Sequence, residues 1–191
     1  MTFRGFAQRI RVPAGFVLAP LLFIAARPTP GSLLTGASVA VIGLAIRAWA
    51  SGYLRKNEEL TVTGPYAHTR NPLYVGTFLL GTGVAISAGT FWFTALFMAL
   101  YLFIYLPVMF AEAEAMLQLF PNDYEDYRKR VPLFHMRLTP YRRAAGRQTL
   151  AASERAGSRF DSSLYLRHRE YRAAFGLLGV YALLTVKLVL L

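Results

Sequence analysis

Apolar residues in this chain arrive in blocks long enough to cross a bilayer, and that blocking constrains the fold more than any motif does. The segments 12–26, 31–54, 73–90, 91–111 and 173–191 are each bounded by Arg, Pro or Gly. A hydrocarbon core takes roughly 20 predominantly apolar residues, or about 17 at the short end. The first block is the shortest, with 15 residues between Arg11 and Arg27. Its basic start imitates a secretory leader, but Ala26-Arg27-Pro28 is a poor cleavage site and a second apolar block follows at once. The two blocks read as a retained helical hairpin. Inside lipid, backbone N–H and C=O groups must be paired within their own segment, so blocks of this length become helices. The sequence therefore predicts an all-α, polytopic membrane protein of about five spans. It would form a single membrane domain over 1–191, with polar loops at 55–72 and 112–172.

Charge sets the expected orientation, because Lys and Arg collect in cytoplasmic loops. Three basic residues precede the first block, three lie in 55–72 and twelve in 112–172; these eighteen face a single Arg27 on the opposite side. The N-terminus and both polar loops are expected in the cytoplasm. On this reading the net charge of +11 is topogenic, with attraction to anionic membrane lipids of about 1 kcal/mol per basic residue near the surface. Nucleic acid is not an expected partner, since the basic residues flank spans and no nucleic-acid module accompanies them. The absence of cysteine excludes disulfides, thiolate metal sites and a cysteine nucleophile. His68, His135 and His168 lack metal-ligand spacing, so no metal is expected. The segment 142–159, rich in Arg, Ala, Ser and Gly, reads as a linker. The stretch 160–172 mixes Phe160, Leu164, Tyr165, Leu166 and Tyr171 with Arg167, Arg169 and Arg172, as a membrane-surface segment would.

Two stretches carry chemistry. In Gly64-Pro65-Tyr66-Ala67-His68-Thr69-Arg70-Asn71-Pro72-Leu73-Tyr74-Val75-Gly76, Gly-Pro forces a turn and Asn-Pro drives the chain out of helix at 71. Pro72 suits a first helical position, where its missing N–H is not needed. A helix opening there would present free N–H groups and its dipole to an anion, with Asn71 or Thr69 to cap or contact it. Gly81-Thr82-Gly83 further on fits close helix packing. In the fourth block Pro107 should kink the helix before Glu112 and Glu114 reach the boundary. A carboxylate there can accept from hydroxyls or offset a cation. Arg47 lies inside the second block, where an ionisable residue is a functional candidate or a snorkelling one. Lys187 near the far end of the last block reads as snorkelling, and Trp49, Tyr53, Trp92 and Tyr101 as interfacial or packing aromatics.

The first stretch, taken with Glu114, Leu117, Phe120, Tyr124, Tyr127, Arg130, Val131 and Pro132, resembles a known signature. It is that of the isoprenylcysteine carboxyl methyltransferases and phospholipid methyltransferases, integral membrane enzymes. The likeness covers roughly 43–133, and Arg47-Ala48-Trp49-Ala50 also resembles what many bacterial members show. Three positions depart: Ala113 stands where the family has the first Glu of a pair, Pro121 for Gly and Leu133 for Arg. The resemblance implies transfer of a methyl group from S-adenosylmethionine to a lipid-like or isoprenoid-type acceptor at the cytoplasmic face. It implies catalytic roles for Arg47, Glu114 and Arg130, and cofactor contacts from Tyr66, Arg70, Asn71, Pro72, Tyr74, Gly76, Glu114, Tyr124 and Tyr127. Two other readings stay open: an NADPH-dependent membrane reductase of sterol-reductase type, and a non-catalytic relative.

The charge asymmetry generates a topology test. Single cysteines at Thr63, Gln118 and Gln148 should label only from the cytoplasmic side and one at Thr29 only from the other. Labelling of Thr63 and Thr29 from one side would end the hairpin reading of the second block.

Overall fold

The computed structural model describes residues 20, 23–55, 60–142 and 159–190. The regular elements among the described residues are all helical. They are α1 (Pro30–Ser51), a 3-10 turn (Gly64–Ala67), α2 (Pro72–Ser87), α3 (Phe91–Leu119), α4 (Pro121–Arg130), α5 (Ser162–Arg167) and α6 (Tyr171–Leu190). Most of the expected first span and of the linker at 142–159 lies outside the described residues; of the former, Phe23, Ile24 and Ala25 are helical. α1, α3 and α6 are long and apolar enough to cross a membrane, whereas α2, with 16 residues, is a shorter apolar helix.

The boundaries move where local chemistry overrides the apolar pattern. α3 runs past 111 to Leu119, through Pro107. Ala111 to Leu119 are nearly all strong helix formers, which carry the helix beyond its apolar part. Pro121 then ends it and opens α4, as Pro does at a first helical turn. Along α4, Asp123 in the first turn and Arg128, Lys129 and Arg130 in the last complement the helix dipole. On its exposed side Glu125 pairs with Arg128 and Lys129, and Asp126 with Arg130.

The chain forms two compact units, Met1–Leu44 with Thr77–Ala111 and Arg172–Leu191, and Ala45–Gly76 with Glu112–Tyr171. In the first, α1 and α2 approach until backbone meets backbone. A Cβ on Gly36 would strike the Ser87 N–H and the Gly83 carbonyl, and one on Gly83 would strike the Ala40 backbone. Small residues permit this contact, and lipid, as apolar as leucine, provides no other strong drive for helices to associate. Gly81 leaves a slot for the Phe97 ring; Phe97 and Phe78 both meet Tyr101 at a tilt, and Tyr101 stacks on Tyr105. The Ser87 and Tyr181 hydroxyls bond at 2.6 Å. Lys187 does more than snorkel: its ammonium donates to the carbonyls of Phe23 and Ile24. Leu34, Val41, Ile42, Phe103, Phe110, Phe175, Leu178 and Val189 stay exposed. Only 22%, 17% and 11% of the most apolar windows of α1, α3 and α6 are buried within the chain, which leaves the rest to face lipid.

In the second unit the core is aromatic. Val62, Ala67, Tyr124, Tyr127, Val131 and Tyr141 are buried together, with Leu60, Ala113, Met116, Leu117 and Phe120 packed against them. Ala113 thus spends its side chain on the core.

Close packing in the first unit sets a stability expectation. Gly83→Ala should lower the melting temperature in detergent, by an overpacking cost of about 1–3 kcal/mol. Gly176→Ala, with nothing within 4 Å of the added carbon, should not. Equal melting temperatures for the two variants would contradict the backbone contact.

Candidate functional site

In the second unit the stretch 67–71 is joined to 132–141 by hydrogen bonds in both directions. The N–H of Arg70 donates to the Pro132 carbonyl at 2.9 Å, that of Arg137 to His68 at 2.9 Å, and that of Tyr141 to Ala67 at 2.8 Å. Side chains add to it: Thr69 Oγ1 donates to Phe134 at 3.1 Å, Asn71 Nδ2 to Leu133 at 3.0 Å, and His68 Nδ1 to Arg137 at 2.8 Å. A carbonyl only accepts, so His68 donates from Nδ1. Beneath this seam the Tyr127 hydroxyl donates to the Tyr66 carbonyl at 2.7 Å.

The Gly-Pro turn forms as the sequence predicts. Gly64 sits at φ +58 with its Cα against the Tyr53 ring, a combination that only glycine accepts without strain. Pro65 starts the 3-10 turn and Pro72 is the first residue of α2, whose opening N–H groups at Tyr74 and Val75 bond to the Asn71 carbonyl. The Asn71 N–H donates to the Thr69 hydroxyl oxygen at 3.4 Å. The Thr69 hydroxyl and the Asn71 amide donate to carbonyls of 133–134, because the irregular segment after α4 has backbone acceptors to satisfy.

Around α2's first turn the structure gathers most of the residues singled out from the sequence. Tyr66, Pro72 and Gly76 are buried there. Arg70 Nη1 donates to the Tyr124 hydroxyl at 3.1 Å, its guanidinium lying 5.9 Å from that ring's centre, and its Nε is buried without a partner. The Tyr74 hydroxyl donates to Glu112 Oε1 at 2.7 Å. Burial, then the carboxylates of Glu112 and Glu170, pushes the Tyr66 phenol far above its usual range. Burial and neighbouring phenols do the same to Tyr127, with Arg70 opposing.

Other residues lie elsewhere. Arg130 is 51% exposed and paired with Asp126 at 3.1 Å on the outer side of α4, so it does not join the cluster. Glu114 is exposed, as is Glu112, the carboxylate two residues earlier that Tyr74 meets. Arg47 forms a forked ion pair with Glu170, Nε to Oε2 at 3.0 Å and Nη2 to Oε1 at 2.9 Å. Sequence reading named Glu112 beside Glu114 as a boundary carboxylate but passed over Glu170. An arginine inside an apolar block requires a carboxylate, and Glu170, set among Arg167, Arg169 and Arg172, was a place to look for one. Among the described residues no group of three His, Cys, Asp or Glu could hold a metal ion.

Comparison with known proteins agrees with the motif geometry. Residues 29–123 match the family model for phospholipid methyltransferases. The chain is 34% identical over 142 residues to the cobalt-zinc-cadmium resistance protein CzcN of Cupriavidus metallidurans, covering 69% of this chain and 64% of that one. It is 33% identical over 111 residues to the nickel-cobalt-cadmium resistance protein NccN of Alcaligenes xylosoxydans xylosoxydans, covering 57% and 50%. To the protein-S-isoprenylcysteine O-methyltransferase of Schizosaccharomyces pombe it is 28% identical over 102 residues, covering 53% and 43%. The match therefore spans less than two thirds of each of these relatives. No solved structure matches.

The raised phenols generate a pH expectation. A phenol whose folded value lies above its unfolded value of about 10 stabilises the fold fully below that value and loses the contribution as pH rises past it. Tyr66 and Tyr127 should therefore titrate only with unfolding, which absorbance of phenolate would follow alongside circular dichroism. Ionisation of every tyrosine with the helices intact would contradict the burial.

Proposed function

Because the chain belongs to the phospholipid methyltransferase family, we propose that it is a membrane methyltransferase using S-adenosylmethionine, with a lipid-like or isoprenoid-type acceptor at the cytoplasmic face. The observation that carries the reading is a charge imbalance around residues 70–74. Among the described residues Arg70 meets no carboxylate and leaves a buried Nε orphaned, while Glu112 meets a phenol and no cation. A ligand with a carboxylate and a cationic centre would satisfy both, and the amino-acid half of S-adenosylmethionine has that character. The residues present therefore fit the cofactor. Bound there, it would supply a methyl group already activated on a sulfonium.

The chain's own part follows from that fit. Arg70, beside the opening of α2, would hold the cofactor's carboxylate by charge and by the dipole of the helix. Glu112, aimed by Tyr74, would offset the cationic end, and we assign it the role that motif alignment gave to Glu114. Tyr124 keeps the Arg70 guanidinium in place, and Tyr127 fixes the turn that carries Tyr66. Methyl transfer from a sulfonium needs in-line placement and exclusion of water more than acid–base groups. An acceptor carboxylate is already a nucleophile; an acceptor amine must first be neutral, and Glu112 is then the nearest proton acceptor of this set. The long apolar helices that lead into the motifs favour an acceptor delivered from lipid.

S-adenosylhomocysteine should raise the melting temperature of the native protein in detergent, since a ligand that binds only the folded state stabilises it. NADPH should not, and the reverse ranking would favour a reductase. Arg70→Ala and Glu112→Gln should each weaken S-adenosylhomocysteine roughly ten- to hundredfold, the worth of a lost hydrogen bond to a charged group. Glu114→Gln should do less; if it proves the more sensitive variant, the carboxylate role returns to Glu114. Labelled methyl from S-adenosylmethionine should appear in a lipid fraction.

A further inference from the structure

We propose that the segment 159–170 is a latch on this site and that the Arg47–Glu170 ion pair closes it, which makes Glu170 a positioning residue for the Gly-Pro-Tyr turn. The segment lies beyond the residues that match the family model, and the proposal rests on the reading of that turn as part of a cofactor site. Every contact of the latch that bears on it falls on the last turns of α1 and the two residues after them. The Arg47 fork on Glu170 is mostly buried, the two side chains being 22% and 12% exposed. The N–H of Asp161 donates to the Gly52 carbonyl at 2.9 Å, and His168 Nδ1 donates to the Ser51 carbonyl at 3.2 Å. The Phe160 ring covers the bare backbone of Gly52, where any Cβ would strike it.

The same turns of α1 touch the motif. Tyr53 meets Phe160 edge-on, centroids 6.4 Å apart, and its ring also lies against Gly64, where an added Cβ would come within 2.6 Å of it. Trp49, two residues after Arg47, lies 6.2 Å from the His68 ring. One route thus runs from the latch to Gly64 through Phe160 and Tyr53, and the turn of α1 that carries Arg47 also carries Trp49, which meets His68. Between α5 and α6 stands Arg169, a non-glycine residue at φ 56. A conformation of that kind persists only when its surroundings hold it, and Glu170, gripped by Arg47, is the next residue. Asp161 caps α5 through the Ser163 N–H at 2.8 Å, which keeps the latch helical at its other end. The influence of the Glu170 carboxylate on the Tyr66 phenol agrees with this arrangement.

Two readouts separate a positioning role from a tether. The chain has two tryptophans, so Trp92→Phe leaves Trp49 as the sole indole, and quenching of its fluorescence by acrylamide reports how closely it packs against the His68 ring. In that background Glu170→Gln should markedly increase acrylamide quenching and weaken S-adenosylhomocysteine roughly tenfold. Exchanging the charges, Arg47→Glu with Glu170→Arg, should restore both. Arg47→Lys, which keeps the charge but loses the fork, should fall between and covers the case in which Glu170→Gln does not fold. A lowered melting temperature with unchanged quenching and unchanged affinity would overturn the proposal. If the native protein fails to bind S-adenosylhomocysteine while quenching still responds to Glu170→Gln, the latch stands and the methyltransferase reading falls.

Discussion

The site depends on the seam between 67–71 and 132–141. Neither stretch is part of an α-helix, so their buried N–H and C=O groups need partners from elsewhere, and an unpaired one costs about 1–3 kcal/mol. Each strand of irregular chain supplies what the other lacks: Arg70 to Pro132, Arg137 to His68, Tyr141 to Ala67. Thr69 and Asn71 close remaining carbonyls. Two motifs far apart in sequence become one rigid body in this way. The helix opening at Pro72 is then held in a fixed relation to the tyrosines of α4.

Burial sorts the charges of the second unit into two kinds. Arg47 and Glu170 compensate each other with a fork that leaves little to a ligand. Among the described residues Arg70 and Glu112 are answered by phenols. A guanidinium with a buried, orphaned Nε carries a desolvation cost that a bound anion would remove. Arg47, which the sequence offered as a functional candidate because it lies inside an apolar block, thus meets Glu170. The quieter residues of the motif keep their charge for something else.

The first unit solves a different problem. Its helices present leucine, valine and phenylalanine outward, so the hydrophobic effect does little to hold them together. Contact comes instead from Gly36, Gly83 and Ala40 and from hydroxyl bonds such as Ser87 to Tyr181. Lys187 illustrates the economy of charge there, since it satisfies carbonyls at the end of the helical turn at Phe23–Ala25 rather than reaching only for water.

Period and punctuation are local properties, and they determined what was legible. Apolar blocks gave the helices, Gly64-Pro65 the turn, Pro72 the start of α2 and Pro121 the start of α4, because a missing N–H or a fixed φ acts within a residue or two. Motif order also identified Arg70, Tyr124 and Tyr127 before their contacts were known. Partnership was not legible. Nothing in the chain says that Tyr74 reaches Glu112, 38 residues on, or that Arg47 waits for Glu170, 123 residues away. Nor does it say that Ala113 turns inward so that the carboxylates flank it. Those outcomes follow from how α1, α2 and α3 are rotated and set in depth, and rotation is decided by side-chain packing against distant residues, which only the tertiary structure contains.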